Sequence, residues 1–200
     1  MGRYVLVVDT SGSMYCYMTE LKKYLKTFID GLTAMGQSSQ NQIALVSFAN
    51  NVDILHHYTH NPAPLKALVD GLTAGGMTAM EDGILVGLVC EYERPDELFV
   101  FSDDGENSSN AKEADWNEIA NRYKAANPSF SVNLVTPSEG TYQADCFRFA
   151  RFFTAKPISI KMAVTSANAI AKRVKTARVI STAEDLLRLK PEAVHPAKQA

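Results

Sequence analysis

The chain has 200 residues, 46% of them hydrophobic and 21% charged, and its net charge at pH 7 is −2. These values are ordinary for a single soluble domain, and no apolar stretch approaches the roughly 20 residues that a membrane-spanning helix needs. The three cysteines are widely spaced without a Cys-x-x-Cys pair, which gives no basis for a disulfide framework or a zinc site and favours a cytoplasmic protein with reduced thiols.

The first part of the chain predicts two buried strands with a helix between them. Residues 3–8 (RYVLVV) are a continuous apolar run rich in β-branched residues, which is typical of a strand covered on both faces. The run is too short for a signal peptide. Apolar residues within 18–32 recur at the spacing of one helix face. Residues 43–48 predict a second buried strand, and residues 52–55 predict a short strand that suits the edge of a sheet.

The next part predicts three helices and two further strands. Helices are predicted at 62–72, where two prolines open the first turn, and at 81–92 and 116–123, where apolar residues recur at helical spacing. Strands are predicted at 98–101 (LFVF) and 130–135. The order β-α-β-β-α-α-β-α-β predicts an α/β fold, with a doubly wound, mostly parallel sheet, one short antiparallel edge strand and helices on both faces.

The last quarter of the chain gives less regular patterns. They predict helices at 144–153 and 163–175, a strand at 177–180 and a last helix that begins at Ser181 or Thr182. A single domain is expected over residues 1–190, followed by a flexible tail over residues 191–200.

Polar side chains collect in three loops at the carboxyl edge of the predicted sheet, where open α/β sheets bind their ligands. The candidates are Asp9, Ser11 and Ser13 after the first strand, Thr78 before the helix at 81–92, and Asp103 or Asp104 after the LFVF strand. Carboxylates and hydroxyls without His or Cys are the ligands of Mg²⁺, and also of Mn²⁺ or Ca²⁺. Because Mg²⁺ takes about six oxygens, at least one position would remain open for another ligand.

Three strings resemble the metal motifs of the von Willebrand factor A domain family. VVDTSGSM resembles the first motif and FVFSDD the third. GGMTAMEDGI resembles the second, in which a threonine lies five residues before a small helix residue, here Gly83. The resemblance covers residues 3 to about 135 and implies a Rossmann-like fold. It also implies a metal-ion-dependent adhesion site formed by Asp9, Ser11, Ser13, Thr78 and Asp103.

The resemblance further implies a role for each ligand and a class of partner. Ser11, Ser13 and, in the high-affinity state, Thr78 would touch the metal, while the aspartates would often act through water. A carboxylate from the partner would complete the shell. The chain is therefore expected to be a non-enzymatic protein-interaction module whose protein partner presents an Asp or a Glu. Compact intracellular members of the family commonly work as adaptors or as partners of ATPase machines.

The third motif departs from the family's usual pattern. The family usually has Asp-Gly after the serine or threonine, whereas this chain has Ser102-Asp103-Asp104-Gly105. Alignment on the serine selects Asp103 as the ligand, and alignment on the glycine selects Asp104. Asp103 is preferred because the first residue past the strand end is the one aimed at the site, and Asp104 is kept as the alternative.

The uneven distribution of charge leaves a nucleic-acid-binding alternative open. Residues 1–147 have a net charge of −10 and residues 148–190 one of +8. Intramolecular complementarity and solvated helix faces explain this asymmetry most simply. Alternatively, residues 148–190 bind nucleic acid, and the phenylalanines and arginines interleaved over 147–153 provide a stacking surface.

Two further readings concern the first metal loop. A Mg²⁺-dependent phosphoryl or ester hydrolase would place a catalytic aspartate at Asp9, but no second aspartate follows two residues later and the three metal loops contain no Lys or Arg. The apolar residues that follow the loop, at 15–18, either form a rim for a partner or seat the first helix.

Overall fold

The computed structural model of the chain describes residues 2–33, 41–103, 105–126, 130–136 and 148–159. The strands in these residues are β1 (Arg3–Asp9), β2 (Gln42–Phe48), β3 (Val52–Thr59), β4 (Glu97–Phe101), β5 (Ser131–Thr136) and β6 (Thr154–Ser159). The α-helices are α1 (Met18–Thr33), α2 (Pro62–Gly71), α3 (Met80–Val89) and α4 (Glu113–Ala126). Short 3-10 helices lie at Gly12–Cys16 and Arg148–Arg151.

The strands form one sheet in the order β3-β2-β1-β4-β5-β6. Every neighbouring pair is parallel except β2 and β3, which are antiparallel. The antiparallel strand lies at the edge, as the sequence predicted. The predicted fold class, a doubly wound and mostly parallel sheet of the Rossmann-like type, is therefore confirmed.

Helices cover both faces of the sheet because successive side chains of a strand point to opposite faces. Val5 and Val7 of β1 are fully buried and belong to a core that includes residues of α3 and α4. Leu6 and Val8, also fully buried, belong to the core of the opposite face, with residues of α1 and α2. Burial on both faces explains why β1 is continuously apolar, without the alternation of a half-exposed strand.

Several predicted elements differ in length from those in the structure, among them α4, which runs from Glu113 to Ala126. β3 runs for 8 residues, from Val52 to Thr59, and so includes the histidines that the sequence placed behind a shorter strand. Its pairing with β2 continues to the residue pair Ile43 and Thr59, beyond a shift in register. Strand pairing therefore overrides the polar composition. The helix predicted at 81–92 ends earlier, at Val89.

The prediction for the last quarter was confirmed only in part where the structure describes it. Residues Arg148–Arg151 form a 3-10 helix within the helix predicted over 144–153, and a strand that was not predicted follows at Thr154–Ser159. Four of its six residues are polar or proline. A parallel edge strand tolerates such residues because one side of its backbone needs no partner in the sheet. Residues 144–147 and the elements predicted from 163 onward lie outside the described residues.

None of the helices in the described part of the chain is long and apolar enough to cross a membrane. Cys16 is exposed and Cys90 half-buried, and both are free thiols.

Candidate functional site

The candidate site lies where the order of the strands reverses direction. From β1 the chain proceeds to β2 on one side, whereas β4 pairs with β1 on the other side. In open α/β folds, ligands bind in the crevice at the carboxyl edge of the sheet where such a reversal occurs, and the loops that follow β1 and β4 flank this place. Asp9 ends β1, and Ser102 and Asp103 directly follow β4.

Asp9 is fully buried at the base of this crevice. The Ser11 backbone N–H donates to Asp9 Oδ1 at 2.8 Å, and the Ser102 hydroxyl donates to Asp9 Oδ2 at 2.5 Å. Burial raises the pKa of the Asp9 carboxyl above its ordinary value, and the hydrogen bonds from Ser102 and Ser11 oppose this shift. No Lys, Arg or His of the described residues forms an ion pair with Asp9.

A chain of oxygens connects the first loop to the third. Ser11 Oγ and Ser13 Oγ lie 3.1 Å apart, and the Ser13 hydroxyl donates to Asp103 Oδ1 at 3.0 Å. Ser11 is fully buried, Ser13 is exposed and Asp103 is partly exposed. The site is thus buried at Asp9 and open to solvent at Ser13. Side-chain oxygen atoms that could bind a metal lie between these two residues.

Thr78 is held against the same loops by its backbone. Its N–H donates to Asn107 Oδ1 at 2.8 Å, and its carbonyl accepts from the Asn107 N–H at 3.0 Å. The Thr78 side chain is only 5% exposed, and its Oγ1 would lie 3.7 Å from a Cβ added at Gly105. Among the described residues, no hydrogen bond joins the Thr78 hydroxyl to the other four predicted ligands.

Backbone hydrogen bonds fasten the first loop to the second. The Gly12 N–H donates to the Gly76 carbonyl at 3.0 Å, and the Gly75 N–H donates to the Thr10 carbonyl at 2.8 Å. Gly76 has a φ of +85°, in the region that favours glycine. A Cβ at Gly76 would also approach Asn50 Oδ1 to 2.6 Å. The Gly-rich composition of the second motif therefore has a local physical reason.

The structure also explains the small residue of the second motif. A Cβ at Gly83 would lie 2.7 Å from Cδ1 of Phe48, at the end of β2. Because Cβ atoms are not found so close to a neighbour, only glycine allows α3 to pack at this distance from the sheet. This packing fixes the start of α3, and with it the position of Thr78.

Three residues that organise the site were not predicted from the sequence. Ser102 was used only to align the third motif, but its hydroxyl donates a hydrogen bond to the Asp9 carboxylate. Asn107 holds Thr78 through the two hydrogen bonds described above. Glu106 accepts from the backbone N–H groups of Glu81, Ser108 and Ser109, so it stabilises both the third loop and the start of α3. No sequence signal separated Glu106 from a solvated acid.

The basic and aromatic segment near residue 150 packs against the body of the protein. Phe149 and Phe153 are buried, with Phe149 fully inaccessible to solvent. The Arg148 backbone N–H donates to Glu81 Oε1, Arg148 Nε lies 3.6 Å from Glu81 Oε2, and the Arg148 guanidinium also donates to the Ala111 carbonyl. These side chains serve internal packing. Phe147 and Asp104 lie outside the described residues.

Comparison with known proteins gives both a family and a set of similar structures. A family model described as the von Willebrand factor type A domain matches residues 4–106. No curated protein sequence matches the chain. Similar solved structures include a von Willebrand factor type A protein from Catenulispora acidiphila, with 16% identity over 85% of this chain and 42% of that one (TM-score 0.61). The present chain therefore spans less than half of that protein.

Two pilus proteins have similar folds. The vWF domain of the type V pili tip protein Mfa5 from Porphyromonas gingivalis is 12% identical, over 88% of this chain and 95% of that one, with a TM-score of 0.58. The PilB minor pilin from Streptococcus sanguinis is 14% identical, over 91% and 63% of the two chains, with a TM-score of 0.59. At sequence identities this low, the similarity shows a shared fold only.

Proposed function

This chain belongs to the von Willebrand factor type A domain family, and from that premise we propose that it is a non-enzymatic protein-interaction module that binds one Mg²⁺ ion and, through it, a carboxylate of a protein partner. Asp9, Ser11, Ser13, Thr78 and Asp103 are the proposed ligands. Mn²⁺ or Ca²⁺ would suit the same oxygens. Asp104 remains the alternative to Asp103.

One observation carries the proposal: Asp9 is a fully buried carboxylate that has no cationic partner among the described residues. It lies at one end of a row of side-chain oxygen atoms, from Ser11 and Ser13 to Asp103, that could bind a metal. A buried charge is costly unless it is paired or coordinates a metal. A divalent cation in the crevice would supply the opposite charge. The five ligands contain neither nitrogen nor sulfur, which matches Mg²⁺ and disfavours zinc or copper.

The oxygen spacings support this assignment. Ligands at about 2.1 Å on neighbouring corners of an octahedron lie about 3.0 Å from each other. The separations between Ser11 Oγ and Ser13 Oγ and between Ser13 Oγ and Asp103 Oδ1 are 3.1 and 3.0 Å. Such distances also suit the hydrogen bonds that join these atoms. These oxygens would therefore be close enough together to hold one ion, directly or through water.

Charge explains why the partner would present a carboxylate. Hydroxyls neutralise little of the charge of a divalent ion, so an ion held by Ser11, Ser13 and Thr78 would remain attractive to an anion. Residues 1–147 carry a net charge of −10, so without metal this body repels an acidic partner. Bound Mg²⁺ would create a local positive target and make the interaction dependent on the metal.

The geometry disfavours the hydrolase alternative. A nucleophilic aspartate must reach the reacting atom, whereas Asp9 is fully buried and both of its carboxylate oxygens accept hydrogen bonds. Nucleic-acid binding also gains no support from the described residues, because the aromatic side chains of 149–153 lie mainly in the core.

Calorimetric titration of the chain with Mg²⁺ tests the first half of the proposal. We expect one ion per chain. At a Mg²⁺ concentration of about 100 times the dissociation constant, the native state should gain about 2.7 kcal/mol, which raises the melting temperature by roughly 5–10 °C. NaCl at matched ionic strength is the control. Absence of a binding signal with both Mg²⁺ and Mn²⁺ would show that the metal assignment is wrong.

The second half is tested with two phage-displayed peptide libraries that have random flanks around one fixed residue, Glu in the first and Gln in the second. Selection on the immobilised chain in Mg²⁺ should enrich binders from the Glu library only, and EDTA should release them. Equal enrichment from both libraries, or retention in EDTA, would refute binding of a carboxylate through the metal.

Paired alanine variants distinguish Asp103 from Asp104. Asp103→Ala should lower the affinity for Mg²⁺ by roughly 10- to 100-fold, the usual cost of removing a residue that acts on a metal directly or through water. Asp104→Ala should lower it much less. Calorimetry of the two variants provides the comparison, and the reverse ranking would move the ligand assignment to Asp104.

A further inference from the structure

Two large apolar side chains are exposed on the loops that supply the proposed metal ligands. Tyr15 is 77% exposed and follows Ser13 by two residues, and Met77, 50% exposed, directly precedes Thr78. The other exposed large apolar residues among the described ones are Ile54, Val89 and Tyr92. Single exposed apolar residues are common on protein surfaces. Two of them beside one binding site raise the question of whether they act together.

The periodicity of the 3-10 helix places Tyr15 on the side of Met77. In such a helix, residues three apart lie one above the other and form a column along the helix surface. Met14 is fully buried, so its column faces the core, and the column of Ser13 faces Asp103. The remaining column contains Gly12 and Tyr15, and a Cβ added at Gly12 would lie 3.2 Å from the carbonyl oxygen of Gly76, the neighbour of Met77.

The backbone beneath both residues is well fixed. The Met77 N–H donates to Asn50 Oδ1 at 2.5 Å. The loop that carries Met77 is tied to the first loop through Gly12, as described above. The neighbouring Met18 is 8% exposed and packs in the core, so it seats α1 and does not form a rim. Met18 thus seats α1, whereas Tyr15 is exposed and stays a candidate for a rim.

We propose that Tyr15 and Met77 form an apolar shelf beside the metal, and that the shelf selects partners in which the metal-binding Asp or Glu has a large apolar residue within two positions. This inference rests on the proposed function, because the partner's carboxylate fixes the position of its segment. In an extended segment, residues two apart point to the same face. One side chain then binds the metal while the other covers the shelf.

The choice of an apolar neighbour follows from charge and from the chemistry of the two side chains. The surrounding body has a net negative charge, so a second acid in the partner would be repelled. Tyrosine supplies a rigid ring, and methionine adapts to irregular apolar shapes. Both are favourable contacts for Leu, Ile, Phe, Met or Trp.

The flanks of the peptides selected from the Glu library test the proposal. Wild-type chain in Mg²⁺ should enrich large apolar residues within two positions of the glutamate. The double variant Tyr15→Ser with Met77→Ser should bind one such synthetic peptide roughly tenfold or more weakly. Its affinity for Mg²⁺ by calorimetry should be unchanged. The control is Tyr92→Ser, which removes a fully exposed tyrosine in the loop before β4, at the amino end of that strand.

The outcomes separate this inference from the proposed function. If no peptide is selected in a manner that depends on both the glutamate and Mg²⁺, the proposed function fails, and this inference fails with it. If such peptides are selected but their flanks are random, or the double variant binds them as tightly as wild type, the shelf alone is refuted. Equal losses in the double variant and in Tyr92→Ser would also refute it.

Discussion

Asp9→Asn is expected to abolish Mg²⁺ binding and leave the protein folded. Asparagine has the same shape as aspartate but carries no charge, so it cannot supply the anion that a buried divalent cation requires. Its amide still offers hydrogen-bonding groups to Ser102 and Ser11, whose contacts hold residue 9 in place. The rise of roughly 5–10 °C in melting temperature that we expect for wild type in saturating Mg²⁺ should be absent.

The same variant separates the metal role from a purely structural one. Burial raises the pKa of Asp9, which means that its environment disfavours the charged form in the absence of metal. The neutral variant should therefore unfold in EDTA at the temperature of wild type or above it. Thermal denaturation in Mg²⁺ and in EDTA measures both quantities. Asp30→Asn, which changes an acid paired with Lys66 outside the three loops, should retain the full effect of Mg²⁺.

A substantial loss of stability in EDTA, with the Mg²⁺ effect intact, would contradict this prediction. It would indicate that Asp9 is a structural carboxylate that organises the two loops and does not hold a metal.

Trp116→Ala is expected to cost 3–5 kcal/mol in the free energy of unfolding, at about the upper limit for single core truncations. Trp116 of α4 is fully buried. Its ring stacks on Phe152 at a centroid distance of 6.4 Å and an interplanar angle of 12°. It also contacts the rings of Phe149 and Phe153. Truncation would leave a cavity between α4 and the segment that leads into β6.

The measurement is urea unfolding followed by far-UV circular dichroism, because this variant removes the single tryptophan of the chain. Trp116→Phe should cost much less. It keeps most of the ring contacts and also removes the indole N–H, a buried donor without a partner among the described residues. Tyr92→Ala should stay within about 0.5 kcal/mol of wild type, since Tyr92 is fully exposed. A cost below about 1.5 kcal/mol for Trp116→Ala would contradict the packing described here.

Local sequence patterns determined much of the fold. β1, β2 and β4 were predicted because a strand buried on both faces must be apolar at nearly every position. The amphipathic spacing of α1 was sufficient to place it, and the residues predicted to face the core are all buried, together with Gly31 and Thr33. The proposed ligands were also visible in the sequence, because an alternating Asp-x-Ser-x-Ser loop after a buried strand is an uncommon and informative arrangement.

The patterns failed where a residue's state depends on distant partners. β3 extends through polar residues because β2 offers it a pairing edge, and β6 forms because β5 does. Neither strand contains the apolar run that marks a central strand. Glu106 has the composition of a solvated acid, yet it accepts four hydrogen bonds from α3 and the third loop.

By itself, the sequence thus determined the class of fold, the alternation of its elements and the residue types gathered at one edge of the sheet, because these follow from local spacing and chemistry. Only the tertiary structure decided that β4 lies beside β1, which brings Ser102 to Asp9 and Asp103 to Ser13 across 93 and 90 residues of chain. It also decided that Tyr15 is exposed while Met18 is buried. The physical reason is that burial and pairing are properties of the packed sheet, which no short segment contains alone.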